Sequence, residues 1–285
     1  MYGSSACTNF NRSSHTLPAF MIIIMISHFL HSPCQSILHR MHSGPSMHGL
    51  NTHQSFKRLS HFPYQSIKCI YTCTKGDYAM NHSYQDALAI LGLEGAHPGG
   101  FELTKQLLEN EQIDHTSIIL DAGCGTGQTS SYLAKTFHCQ VSALDHHPEM
   151  VKHAKKRFQK ANLSIDLYKS SIEELPFDNN SFDFIIAESA TAFTDIKKSL
   201  REFYRVLKLE GTLLSIDMTA ETSLDPASKK EIMDFYHLSE LLTQSEWLKA
   251  FKQNGFTDFK ILRSSTVLEE LMNSSASNTF VQPVN

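Results

Sequence analysis

The chain has 285 residues, 41% of them hydrophobic, with 25 lysines and arginines against 29 acids, enough for one sizeable α/β core plus an appendage and too apolar for a disordered polar chain. Charge is unevenly spread. Residues 1–79 hold six of the basic residues, eight of the 16 histidines and a single acid, Asp77, leaving 19 basic and 28 acidic residues for the rest. An acidic domain without a lysine/arginine block speaks against a nucleic-acid partner.

Three readings compete for the leader, residues 1–79. The apolar run from Ala19 to Leu30 approaches the length of a signal-peptide core but falls short of the roughly 20 residues that span a bilayer, so no stable membrane insertion is expected. Few acids and many serines suit a transit peptide, yet the segment lacks the arginine-rich amphipathic pattern. The preferred reading is a disordered or spurious extension, with Met80 as the working start. The six cysteines, at 7, 34, 69, 73, 124 and 139, lack paired zinc spacing, so no metal is expected. Cys124 and Cys139 read as reduced thiols of a cytoplasmic protein.

From residue 80 short apolar runs alternate with amphipathic helices, the pattern of a mostly parallel sheet covered on both faces. Helices are predicted at 84–90 and 100–108, separated by a glycine-rich loop containing His97. A strand at 118–121 leads into glycines and a helix at 129–137. A second strand ends at Asp145, and the helix after it buries Met150, Val151, Ala154 and Phe158. Strands follow at 163–167, 182–187 and 211–217, with a helix between the last two carrying Ile196, Leu200, Phe203 and Leu207 on its buried stripe. Asp225-Pro226 starts a helix, Thr243 to Glu246 is a capping box, Gly255 ends that helix, and 256–262 is a sixth strand. The expected division is an 80–117 helical lid, a domain over 118–263, and a 264–285 tail with a short helix at 267–272. A seventh strand is not evident.

The chemistry concentrates in Asp121-Ala122-Gly123-Cys124-Gly125-Thr126-Gly127. Glycines where a strand opens into a helix let a ligand approach the main chain. No Lys-Ser/Thr pair follows, so this is not a P-loop, and the spacing is not that of the dinucleotide fingerprint. Asp121 would repel a pyrophosphate but suits a ligand with an ammonium group and no phosphate, as S-adenosylmethionine is. Asp145, at the end of the second strand, can accept from both ribose hydroxyls. Ile172 and Met150 can flank an adenine, though both also fit core packing. Glu188 stands at the carboxyl edge where open α/β sheets bind ligands. His97 either gates or deprotonates a substrate or is a surface histidine. Trp247 reads as a core anchor.

Over residues 118–217 the chain resembles the class I S-adenosylmethionine-dependent methyltransferases. Ile119 to Gly127 is similar to their first motif and Leu144-Asp145 to their second-strand acid. Ser170 to Phe177, followed by Asn180 to Asp183, is similar to the adenine-pocket stretch of the subgroup containing ubiquinone and menaquinone methyltransferases, and Tyr204 to Gly211 to the helix junction before the fifth strand. The resemblance implies a Rossmann-like, doubly wound α/β fold, in this chain lacking or with an incomplete seventh strand. It implies a cofactor site of Asp121, Gly123, Cys124, Gly125, Thr126, Gly127, Asp145, His146, Met150, Ser171, Ile172 and Glu188. The acceptor would be a small molecule, with Tyr84, His97 and Glu188 as pocket candidates. The family usually has aspartate where Ser171 stands, and its sheet ends in antiparallel strands. The runner-up is a cofactor-binding protein without turnover, and a nicotinamide-dependent oxidoreductase is disfavoured.

Overall fold

The computed structural model describes residues 20–27, 83–97 and 99–266. Cys7, Cys34, Cys69, Cys73, Met80 and the helix expected at 267–272 lie outside them.

Seven strands form one sheet: β1 (Phe20–Ser27), β2 (Ile118–Ala122), β3 (Gln140–Asp145), β4 (Asp166–Lys169), β5 (Phe182–Glu188), β6 (Leu207–Thr219) and β7 (Asp258–Thr266). Their order is β4-β3-β2-β5-β6-β1-β7, all pairings parallel. The helices are α1 (Tyr84–Leu91), α2 (Gly100–Glu109), α3 (Gln128–Thr136), α4 (Pro148–Lys160), α5 (Ile196–Val206), α6 (Pro226–Tyr236) and α7 (Gln244–Gln253). They match the elements expected from periodicity. The strand expected at 163–167 begins later, at Asp166.

The double winding follows from residue parity along the strands. Ile119, Val141, Ile186 and Leu214 turn toward Leu108 of α2 and Leu133 of α3, while Ala143 meets Ala154 and Phe158 of α4. Their neighbours Leu120, Leu144, Ile185 and Leu213 face the opposite layer, which includes Leu200 and Phe203 of α5, Ile232 of α6, and Trp247 and Phe251 of α7. Trp247 is the anchor expected: it is buried, and its indole N–H donates to the Met218 carbonyl at 3.0 Å.

Strand order reverses between β2 and β5, so the chain leaves adjacent strands in opposite directions and opens a crevice at their carboxyl ends. Helix α1 bridges that edge. Its start is fixed by a capping box between Ser83 and Asp86, and Gly92, at φ +58°, ends it. Asp86 Oδ1 lies 3.1 Å from His147 Nε2 at the head of α4, and His153 Nε2 lies 3.1 Å from the Ala89 carbonyl. On the other side the Tyr84 ring meets Tyr236 of α6 edge-on at 4.8 Å.

The sequence-based boundary of the domain requires correction. Phe20–Ser27 falls in the leader whose preferred reading is a disordered or spurious extension, yet its backbone pairs with β6 over eight residues and with β7 over the same eight. The missing seventh strand thus comes from ahead of the domain, and β7 runs parallel to β1 and not antiparallel as the family resemblance implied. The physical reason lies in composition. An isoleucine-rich run without alternation suits a strand inside a parallel sheet as well as it suits a targeting core.

Because β7 is joined to the sheet through β1, Ile24→Pro, which removes a ladder N–H from an interior strand, is expected to destabilise the protein by about 3 kcal/mol. Urea unfolding measures that loss, and hydrogen exchange should find the β7 amides unprotected. Intact β7 protection in a chain without residues 1–79 would contradict the pairing.

Candidate functional site at the carboxyl edge

The loop after β2 is held by its own backbone and by its neighbours. The Gly123 and Cys124 N–H groups donate to the Leu144 carbonyl at 2.8 and 2.9 Å, locking the loop onto β3. Arg157 of α4 donates to the Thr126 carbonyl at 2.8 Å and pairs with Glu94. The three glycines have φ of +86°, +52° and +77°, but they serve different ends. A Cβ on Gly123 would lie 2.5 Å from Ala190 Cβ and one on Gly127 2.6 Å from Phe158, whereas one on Gly125 would meet only Met150 Sδ, at 4.0 Å. Gly123 and Gly127 are therefore required by packing. Gly125 faces open space.

Acidic side chains end four successive positions of the sheet. Asp121 closes β2 and accepts from Ser130 Oγ at 2.5 Å. Burial, reinforced by the charges of Glu188 and Asp145, pushes its carboxyl up to about 7. Asp145 closes β3 and accepts from the Gly125 and His147 N–H groups at 2.9 and 2.8 Å, so the carboxylate that ends one strand also shapes the glycine loop of the next. Glu188 closes β5 and accepts from Thr129 at 2.6 Å and from Thr104. Asp217, near the end of β6, is buried and accepts from Ser215. Burial pushes its carboxyl up to about 7 as well, against the Ser215 and Ala192 hydrogen bonds.

The structure brings most of the expected residues together. Thr126 and Cys124 are buried in the loop, and burial together with Asp121 and Asp145 pushes the Cys124 thiol well above its ordinary range. Cys124 and Cys139 are both free thiols. Met150 flanks Gly125. Ile172 is buried in the α5-side core, and the Ser171 hydroxyl accepts the Glu173 N–H at 3.1 Å. His146 stands apart: its side chain is 58% exposed and its Nδ1 is 3.8 Å from Asp145. His97 departs from the surface reading, since its side chain is only 8% exposed and Nε2 lies 3.4 Å from Glu188. Its loop precedes α2, whose Thr104 reaches both His97 and Glu188, a convergence that the glycine-rich composition does not reveal. Tyr84 stacks on Phe193 at 6.1 Å.

Ser130, Thr129 and Asp217 were not singled out in the sequence. Asp217 carried a usable signal, because it ends its strand as Asp121 and Asp145 end theirs.

Residues 120–215 match the family model described as a methyltransferase domain. An uncharacterized methyltransferase of Bacillus subtilis, YodH, is 40% identical over 173 residues, which cover 61% of this chain and 74% of the relative. The chain belongs to the methyltransferase family. Among its other relatives, the ubiquinone/menaquinone biosynthesis C-methyltransferase UbiE of Rickettsia felis is 32% identical over 48% of this chain and 57% of its own. A solved structure, a putative sarcosine dimethylglycine methyltransferase from Galdieria sulphuraria, superimposes with a TM-score of 0.51 at 26% identity, over 54% of this chain and 60% of that one. The matched stretch of this methyltransferase runs from inside β2 to β6 and so contains Asp121, the glycines, Asp145 and Glu188. Among the described residues no helix is long and apolar enough to cross a membrane.

Two outcomes follow from this geometry. Gly127→Ala must displace the Phe158 ring and is expected to cost several kcal/mol in chemical denaturation, whereas Gly125→Ala, with open space and only a left-handed backbone to strain, should cost about 1–2 kcal/mol. The second concerns pH. Folded Asp121 and Asp217 keep protons to about pH 7 that their unfolded counterparts, at the ordinary carboxyl value of 3.8, release earlier. The native state then binds more protons between pH 4 and 7, so these groups make stability fall as pH rises through that window, with no further loss above it. Each contributes of the order of a few kcal/mol. Denaturation midpoints from pH 4 to 8 should show a shallower decline in Asp217→Asn.

Proposed function

We propose that this methyltransferase uses S-adenosylmethionine and acts on a small-molecule O, N or C nucleophile in the cytoplasm. The observation that carries the reading is the convergence of Asp121, Asp145 and Glu188 on a loop whose Gly125 leaves open space beside Met150. A ligand seated there must be cationic or hydroxylated and must come close to the main chain. S-adenosylmethionine fits both demands, and when bound it supplies an electrophilic sulfonium methyl group.

Asp121 and Glu188 would face the ammonium end, and their mutual repulsion is relieved when a positive charge comes between them. Asp145 keeps acceptor capacity beyond its two backbone donors, because a carboxylate has about four lone-pair sites, and this remainder would take the ribose hydroxyls. Met150 and Ile172 would lie against the adenine. Ser171 accepts the Glu173 N–H but keeps its own proton, so toward an adenine it acts as a donor where the family's aspartate accepts. His146 sits at the rim and Cys124 and Thr126 contribute loop backbone. Helix α1 with Tyr84 and the His97 loop would act as the lid, holding water away and the acceptor in line, the positioning that carries much of the catalysis in a displacement of this kind.

The same charges disfavour a dinucleotide, since a pyrophosphate would sit against Asp121. The relatives' names include a carbon and an amine acceptor, so the acceptor must be read from this chain's own residues. Isothermal titration of the full chain should find S-adenosylhomocysteine bound and NAD not bound. Asp145→Ala should weaken S-adenosylhomocysteine by about 100-fold, the loss of a doubly hydrogen-bonded carboxylate. A folded protein that ignores S-adenosylhomocysteine would sink the reading.

A further inference from the structure

Three buried side-chain oxygens without a protein partner occur at the carboxyl ends of β5 and β6: Ser189 Oγ, Thr191 Oγ1 and Asp217 Oδ1. A buried polar atom left unpaired costs about 1–3 kcal/mol, and native proteins keep few of them. These three are neighbours. The Ser189 N–H donates to the Ile216 carbonyl at 2.7 Å, which sets Ser189 beside Asp217, and the Ala192 N–H, next to Thr191, donates to the Asp217 carboxyl. The one-turn 3₁₀ helix Thr191–Phe193 that carries Thr191 also carries Phe193, which stacks on Tyr84. Tyr84 in turn meets Tyr236 at 4.8 Å and Phe235 at 6.3 Å.

We propose that this corner is the acceptor subsite and that its acceptor is an organic amine, bound as its ammonium by Asp217, Ser189 and Thr191 beneath the Tyr84 and Phe193 rings. The proposal rests on the methyltransferase reading above. A primary ammonium offers three donors to three unpaired acceptors, and aromatic faces attract cations. Electrostatics select against other classes. Asp121, Asp145, Glu188 and Asp217 bring four carboxylates to this edge, and the ion pairs of Lys105, Lys152, Arg157, Lys198, Arg205, Lys208 and Lys230 go to other acids. The cofactor carries a net charge of one, so the edge stays negative and repels a carboxylate or phosphate.

Asp217 then has a chemical task. It takes one ammonium proton onto Oδ1, freeing the nitrogen lone pair. That pair forms the new N–CH₃ bond as the S–CH₃ bond breaks and its electron pair remains on sulfur. The product leaves as a methylated ammonium, and Asp217 returns its proton to water. A carboxyl held near neutrality by burial is suited to such an exchange.

Three probes of nearly equal shape separate the classes: phenethylamine, phenethyl alcohol and phenylacetate, added at millimolar concentration to the full chain saturated with S-adenosylhomocysteine. Thermal unfolding should rise by about 3 °C or more with the amine alone. Asp217→Asn should lower amine affinity by about 30-fold or more, and Thr191→Val by less, while both variants keep S-adenosylhomocysteine affinity within about twofold. A shift with the alcohol or carboxylate instead, no shift with any probe, or an amine shift equal in Asp217→Asn would overturn the amine subsite. Failure to bind S-adenosylhomocysteine would instead overturn the cofactor reading on which the subsite depends.

Discussion

Negative charge held out of water at the ends of parallel strands is the constraint around which this methyltransferase is organised. A parallel sheet aligns every carboxyl terminus along one edge, and here four strands deliver an acid to that edge. Each acid is stabilised locally by hydroxyls or backbone N–H groups, including Ser130 on Asp121, the Gly125 and His147 amides on Asp145, and Thr129 on Glu188. Hydrogen bonds of this kind hold the carboxylates in place, yet burial pushes both Asp121 and Asp217 up to about 7, reinforced at Asp121 by the charges of Glu188 and Asp145. The site is thus strained in its charge, and a cation relieves the strain.

The rest of the architecture serves that edge. Gly123 and Gly127 let the loop pack against Ala190 and Phe158, and so leave Gly125 as the point where a ligand can approach the backbone. Helix α1 reaches across to both layers through Asp86 and Tyr84, and the loop after it ties Glu94 to Arg157 and His97 to Glu188. Contacts of the covering segment therefore end on the same helix and the same carboxylate that shape the site. Hydroxyls of Thr104 and Thr129 meet Glu188 from two different helices.

The sheet also shows how one apolar run can satisfy two descriptions. Phe20–Ser27 has the composition of a targeting core and of an interior parallel strand, and local pattern does not separate them. Pairing on both sides decides it: β6 pairs with all eight residues of the run in one register, and β7 pairs with all eight with a register shift between Ile23 and Ile24.

By itself, the sequence determined the features that depend on local physics. Strand and helix periods, the capping box at Thr243, the proline after Asp225, the glycine loop with Asp121, and Asp145 one strand later are written in neighbouring residues, because burial parity, cap chemistry and tight turns act over a few positions. They sufficed for the fold class and the family. Only the tertiary structure decided what depends on distant chain segments meeting: the insertion of β1, the burial of His97 against Glu188 across 91 residues of chain, and the pairing of Ser189 with Ile216 that sets it beside Asp217. Those contacts arise where the switch in strand order folds separate loops onto one edge, and no local pattern records which side chains a crossover will bring together.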